Sequence, residues 1–478
     1  FEGYIPLQLR SVVSSGDLDR FEALIDLKAA GSQFDSRSIR LPQEMSLLAS
    51  AVMSLSSQEL SLEKFDLASG GTLDVALNMK ATRLFQMPDL HLGISRISCD
   101  VKRLFELLHP FVLGIDGAGR ISSKGISFLA SSLSADTVPE RVEFSGDLNF
   151  EDIDIHLRDL SVAGLNLHLT TENARFLGDV MQEARVGMAC TVRAANLPRG
   201  AIKDLDLSVR GVVLSPGENS LEMKMTASSA DVDVPSLGRL VQPFSVFAQT
   251  KGDFLSGDIV IDSLNASVGK AVEIKAAGSI QSWKSPRFTG EVNIDADGGE
   301  ILSAVPANAR KLWDIHHLDG TASLKADISG SLSPEMTFQE GDVSASLVVT
   351  LHEMRTRAML VHGARLQMML ENARLNSEGI ETASGRMNVF SNKLSASDFI
   401  LEEVQAAMDA DIPAGKDGYR AAVSLKSPKA HFSHPSLGGA VRLPVMLRAK
   451  VTASSDLETI AVEEASLEVG DAIQFNGS

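Results

Sequence analysis

His431 and His434 in the segment HFSH, and the adjacent pair His316–His317, are the side chains whose type and spacing could hold a transition metal. In an extended strand, residues three apart point to opposite faces, and no cysteine or carboxylate stands at ligand spacing from either pair. The acidic alternations Asp231/Asp233, Asp295/Asp297 and Asp409/Asp411 could hold calcium. They fit better as the wet face of strands whose other residues are apolar. SVGKA (Ser267–Ala271) resembles part of a phosphate loop, but it lacks the G-x-x-x-x-G-K-[ST] spacing and lies in a strand context. No G-x-S-x-G elbow presents a serine. Scattered Ser, His and Asp do not by themselves define a triad. Two Tyr and two Trp are too few for a sugar-binding surface of stacked aromatics. The expectation is therefore a chain that is not an enzyme and needs neither cofactor nor metal.

Composition narrows the classes further. Lys and Arg number 44 against 62 Asp and Glu, a formal charge of −18. No basic stripe exists to neutralise phosphates, so nucleic acid is not an expected partner. Hydrophobic residues nevertheless make up 44% of the chain and mean hydropathy is +0.06. Apolar and charged residues must then occupy different faces. The two cysteines, Cys99 and Cys190, could pair or serve as small hydrophobes; sequence leaves both open. No stretch of 18 consecutive apolar residues is present, so no helix is expected to span a bilayer. The sequence opens at Phe1 and stops inside a repeat, which suggests a fragment whose signal or anchor lies outside it.

Several landmarks recur in order at one spacing. ENAR stands at Glu172–Arg175 and at Glu371–Arg374, and PSLG at Pro235–Gly238 and Pro435–Gly438. SVVSSG (Ser11–Gly16) matches GVVLSPG (Gly211–Gly217), and Ser69–Pro88 aligns with Ser267–Pro286 without a gap. Glu468–Ser478 restates Ser267–Ser279 once more. These echoes describe a tandem unit of about 200 residues, present about 2.4 times. The units are expected at residues 1–211 and 212–410, with 411–478 the start of a third. Repeated units bury their ends against neighbours, which predicts one elongated array.

Within the unit the dominant period is two. TLDVALNMKA places Leu73, Val75, Leu77 and Met79 on one face, and DLHLGIS does so for Leu90, Leu92 and Ile94. DIDIHLRDL aligns Ile153, Ile155 and Leu157; AVEIKA and TGEVNIDA carry Ile274 and Val292; PVMLRAKV carries Val445 and Leu447. This is the pattern of antiparallel strands with one apolar and one wet face. Segments that break the alternation, Leu41–Leu55, Cys99–Pro110, Pro235–Pro243 and Gly299–Trp313, read as short amphipathic helices. ENAR is expected just after a strand, with its Asn turning the chain. The fold class is mainly β: an elongated, curled antiparallel sheet, a β-groove or half-barrel of tandem repeats with a few short helices. Its apolar face either is sealed in sandwiches, as in a structural or adhesive repeat protein, or lines a groove open to ligand.

Strings of amphipathic strands such as GGTLDVALNMKATRLFQMPDLHLGIS resemble the AsmA-like proteins of Gram-negative bacteria, whose relatives include TamB and YhdP. So do the short helices ending in LFELLHP or ILSAVP and the return strand HLDGTASLKADISGSLS. The resemblance covers essentially the whole chain and fits the C-terminal repeat regions of that superfamily. It implies a periplasmic protein, anchored to the inner membrane by a segment absent here, that conducts phospholipid toward the outer membrane along a hydrophobic β-groove. Its partners would be phospholipid acyl chains and, through other parts, both membranes. The groove residues are then Leu73, Val75, Leu77, Leu92, Ile94, Ile153, Ile155, Ile274, Val292, Val445 and Leu447. A polysaccharide-processing β-solenoid is a third possibility, disfavoured because no acidic and aromatic cleft is evident.

Overall fold

A computed structural model describes residues 7–477, except 15–16, 31–32, 35–38, 41–43, 109–115, 134–137, 158–159, 179, 198–199, 215–218, 235–237, 254–255, 283, 305–313, 335–336, 378, 397–398, 413–417, 435–438, 454–459 and 472. Nearly all of it is antiparallel strand. Two units follow one another, Phe1–Ala230 and Asp231–Ser478, and the strand Asn219–Val234 runs through the division.

In unit 1 the strands Leu7–Ser14, Asp17–Ala30, Glu44–Ser54, Glu59–Ser69, Leu73–Thr82 and Asp89–Asp100 each pair with the next. A two-residue ladder, Gln33–Phe34 with Ile39–Arg40, sits in the connection before Glu44. Helix α1 (Val101–Leu108) follows. Two short strands, Asp116–Ser123 and Ile126–Ser131, then share one lane between Asp89–Asp100 and Arg141–Leu157, acting as a single interrupted strand. Leu160–Leu177, Val180–Leu197 and Gly200–Leu214 complete the meander.

Unit 2 is simpler. Among the described residues thirteen strands pair in chain order: Gly238–Asp253, Asp258–Val268, Val272–Gln281, Arg287–Asp297, Ile315–Leu332, Phe338–Thr356, Met359–Asn376, Gly379–Ala396, Phe399–Ile412, Tyr419–His434, Gly439–Ala453, Ile460–Val469 and Ile473–Gly477. Helix α2 (Gly298–Ala304) stands between the fourth and fifth.

The backbone repeats along with the letters. Left-handed residues recur 199 positions apart at Gly70 and Gly269, Arg83 and Ser282, Gly164 and Gly363, Asn173 and Asn372, and Asp204 and Glu403. Both helices start the same way. Asp100 Oδ1 accepts from the Arg103 amide at 3.0 Å, and Asp297 Oδ1 from the Glu300 amide at 2.9 Å. Such an N-cap satisfies an amide that the helix itself leaves orphaned.

The ENAR tetrapeptide lies inside a strand, not after one. In both copies the register slips between Glu and Arg, at Glu172/Arg175 and Glu371/Arg374, and the Asn takes φ 51. This is a β-bulge that spends one residue to bend the strand, and Asn tolerates the left-handed conformation better than most residues. The following Ala174 and Ala373 are buried, at 6% and 2% exposure. The Arg turns to the wet face, where Arg175 Nε donates to Glu143 Oε1 at 2.9 Å and Arg374 Nε lies 3.4 Å from Glu381.

Two expected helices are strands. Glu44–Ser54 alternates Met45, Leu47, Ala49, Ala51 and Met53 against Leu67, Phe65 and Leu62 of its neighbour. Leu48 and Val52 stand among the serines at the intervening positions, so the alternation is blurred, and cross-strand pairing decides. Pro235–Pro243 likewise enters a strand at Gly238. Of the other two, α1 begins at Val101 because Cys99 and Asp100 finish the strand Asp89–Asp100, and residues 305–313 lie outside the described residues.

Candidate functional site on the apolar face

Directly opposed residues of an antiparallel pair share a face, so each strand register extends a rung across the sheet. In unit 2 one rung runs Val246, Ala266, Ile274, Ile294, Leu324, Leu347, Met368, Met387, Met408, Val423, Ala449 and Ala465. No polar side chain interrupts it. A parallel rung carries Val292 between Ala276 and Ala326, and another carries Leu447 between Leu425 and Leu467. Val445 sits on the same face two residues from Leu447, opposite Val469.

Unit 1 repeats the arrangement. Leu77 and Ile94 are opposed, as are Met79 and Leu92, and Val75 and Ile97. Leu73 begins a rung that continues through Cys99, Ile121, Phe150, Leu167, Cys190 and Leu207. Ile153 opposes Leu165, and Ile155 opposes Val162 beyond two bulges. Leu73, Val75, Leu77, Leu92, Ile94, Ile153 and Ile155 therefore line one face of unit 1, and Ile274, Val292, Val445 and Leu447 one face of unit 2. The methionine rung, and the pair Phe128–Phe144 in unit 1, escaped sequence reasoning. Their alternation is legible only once the register says which strands meet.

These faces are not sealed. Among the described residues no Leu, Phe or Met is buried; the buried apolar side chains are mostly Ala, joined by Cys99, Val101, Ile153, Val192, Val361 and Val404. On the rungs Val186 is 43% exposed, Met368 43% and Phe475 59%. The chain exposes 29355 Å². Two compact units of half its mass would expose about 21,000 Å² together, wherever they stood.

The wet face is laced by cross-strand ion pairs such as Lys325–Glu291 and Lys450–Glu464, both 2.8 Å, and Arg386–Asp409 at 2.7 Å. Lys325 donating to Glu291, with help from Asn293, holds that carboxyl below its ordinary value. Asp409 is thus paired to a cation, and Asp297 caps α2. His431 Nδ1 accepts from Arg442 Nε at 3.1 Å, while the side chains of Asp233 and His434 lie outside the described residues. No three His, Cys, Asp or Glu come together at metal-binding distance among the described residues. Both cysteines are free. They stand four strands apart on one rung, about 19 Å at the usual strand spacing, beyond any disulfide. Burial raises both thiols above their ordinary pKa, with Asp100 adding to the shift at Cys99 and Asp206 at Cys190.

No helix among the described residues is long and apolar enough to cross a membrane. No protein-family model matches the chain, and comparison with curated proteins finds no match.

Proposed function

We propose that each unit holds phospholipid acyl chains on its apolar face and passes them along its rungs, as a bridge-like lipid conductor. The observation that carries this is that large apolar side chains share one face of strand after strand, yet none of the Leu, Phe or Met described is buried. A soluble chain rarely leaves so much contiguous apolar surface without a partner for it. Each acyl CH₂ moved from water onto such a surface gains about 0.8 kcal/mol, so a 16-carbon tail gains on the order of 10 kcal/mol. Rungs of similar chemistry one strand apart offer sites of similar energy. A bound tail therefore shifts sideways far more easily than it leaves into water.

The resemblance to AsmA-like proteins supports a periplasmic setting, an inner-membrane anchor outside this sequence and a role in outer-membrane biogenesis. The polar groups described above serve capping and ion pairing, which is consistent with a non-catalytic role. A photoreactive amino acid at Ile274, compared with one at Lys275 on the opposite face, tests the proposal. Crosslinked phospholipid at position 274 and not at 275 is expected. Equal labelling at both, or none at either with no lipid copurifying, would overturn it in favour of a structural repeat with covered faces.

A further inference from the structure

One cavity on the wet face of unit 2 has only cations among its charged lining residues. Arg365, Lys426 and Arg448 line this cavity of about 470 Å³ together with the amides of Gln367, Asn388 and Gln405. No carboxylate lines it, in a chain whose formal charge is −18. Other cations on this face are matched, Lys325 to Glu291, Arg386 to Asp409 and Lys450 to Glu464, although Arg287 and Arg420 make no ion pair with a described residue. None of Arg365, Lys426 and Arg448 forms an ion pair with a described residue. The register explains the gathering. Arg365 opposes Phe390, Phe390 opposes Gln405, and Gln405 opposes Lys426 on four successive strands. On the neighbouring rung Ala407 and Ser424 provide a low floor beside Arg448.

We propose that this trough binds a phosphate-bearing oligoanion. The guanidinium fork of an arginine matches phosphate oxygens, and lysine adds a point charge. The amides supply further donors. Phe390, 41% exposed, borders the site with apolar surface that strengthens nearby charge interactions. Arg365 and Lys426 stand three strands apart, about 14 Å between backbones. One phosphate group satisfies one end; a ligand with several can be held at both. The proposal rests on the face opposite the rungs, so it stands or falls independently of the acyl-chain reading.

Calorimetric titration of the full chain at low ionic strength, with sodium tripolyphosphate and with inorganic phosphate, tests it. Tripolyphosphate should bind about tenfold more tightly than phosphate and weaken as salt is added. Arg365→Gln and Arg448→Gln should each reduce its affinity about tenfold. Lys275→Gln, which makes the same charge change on the same face four strands from Arg365, should change it less than twofold. Circular dichroism checks that each variant stays folded. Competition with phosphatidylglycerol vesicles separates sources: displacement assigns the phosphates to lipid headgroups, its absence to a soluble ligand, and either upholds the site. Absence of binding at millimolar tripolyphosphate, equal affinity for the two anions, or an equal loss in Lys275→Gln would overturn it.

Discussion

Asn372 sits inside a strand, near its C-terminal end, at φ 51, where a residue with an ordinary Cβ is strained. Replacing it with Ala should cost about 1 kcal/mol and lower the urea midpoint, while Asn372→Gly should be neutral or stabilising. Loss of stability in the Gly variant equal to that of Ala would show that the Asn side chain, not its backbone conformation, is needed. Glu143 makes a second residue-scale case. The Arg141 guanidinium first, and Arg175 across the strand, hold its carboxyl below the ordinary value of 4.5. A depressed carboxylate contributes stability above its unfolded pKa and loses it as pH falls through the folded one. The difference in urea midpoint between the protein and Glu143→Gln should therefore be present at pH 6 and shrink progressively as pH falls below the ordinary carboxyl value. A gap that persists in acid would mean that the ion pairs are not its source.

At the scale of the element, exposure separates residues that the sequence treats alike. Ile153 is 3% exposed, whereas Val292 is only half-buried. Ile153→Asp buries a carboxylate without a partner and should cost about 3 kcal/mol or more. Val292→Asp leaves its carboxylate a route to water; it should keep the fold, with thermal melting shifted by only a few degrees, and lose lipid crosslinking beyond that strand. Unfolding of Val292→Asp would show a covered face. The period of two in TLDVALNMKA or AVEIKA groups Leu77 and Ile274 with their apolar strand neighbours, because charged residues, Asn and Ala fill the alternate positions. It failed at EMSLLASAVMS, where Leu48 and Val52 stand among the serines and blur which side is wet. The bulge at ENAR was legible as a landmark but not as a bulge, since the slip exists only relative to the strands on either side. The basic trough was hidden for a similar reason: Arg365, Lys426 and Arg448 are spread over 84 positions of sequence and meet only through pairing.

For the whole molecule, charge and apolar surface oppose each other. A formal charge of −18 discourages association of faces that are otherwise adhesive. That protection disappears near the isoelectric point of about 5.0. Light scattering should therefore rise as pH is lowered from 7 to 5 and fall again when phospholipid is supplied. Scattering that ignores added lipid would mean that the sticking surface is not the apolar face. The bulges carry a further consequence. Because the side-chain period is two, one residue inserted within a strand turns that strand's apolar set outward unless a bulge takes it up, while connections can absorb extra residues freely. Within a strand, a chain organised this way takes an extra residue without spoiling its rungs only where a bulge absorbs the slip. Its rungs can lengthen only by whole hairpins or whole units, so gene duplication sets how far such a protein reaches, and point insertion cannot fine-tune it.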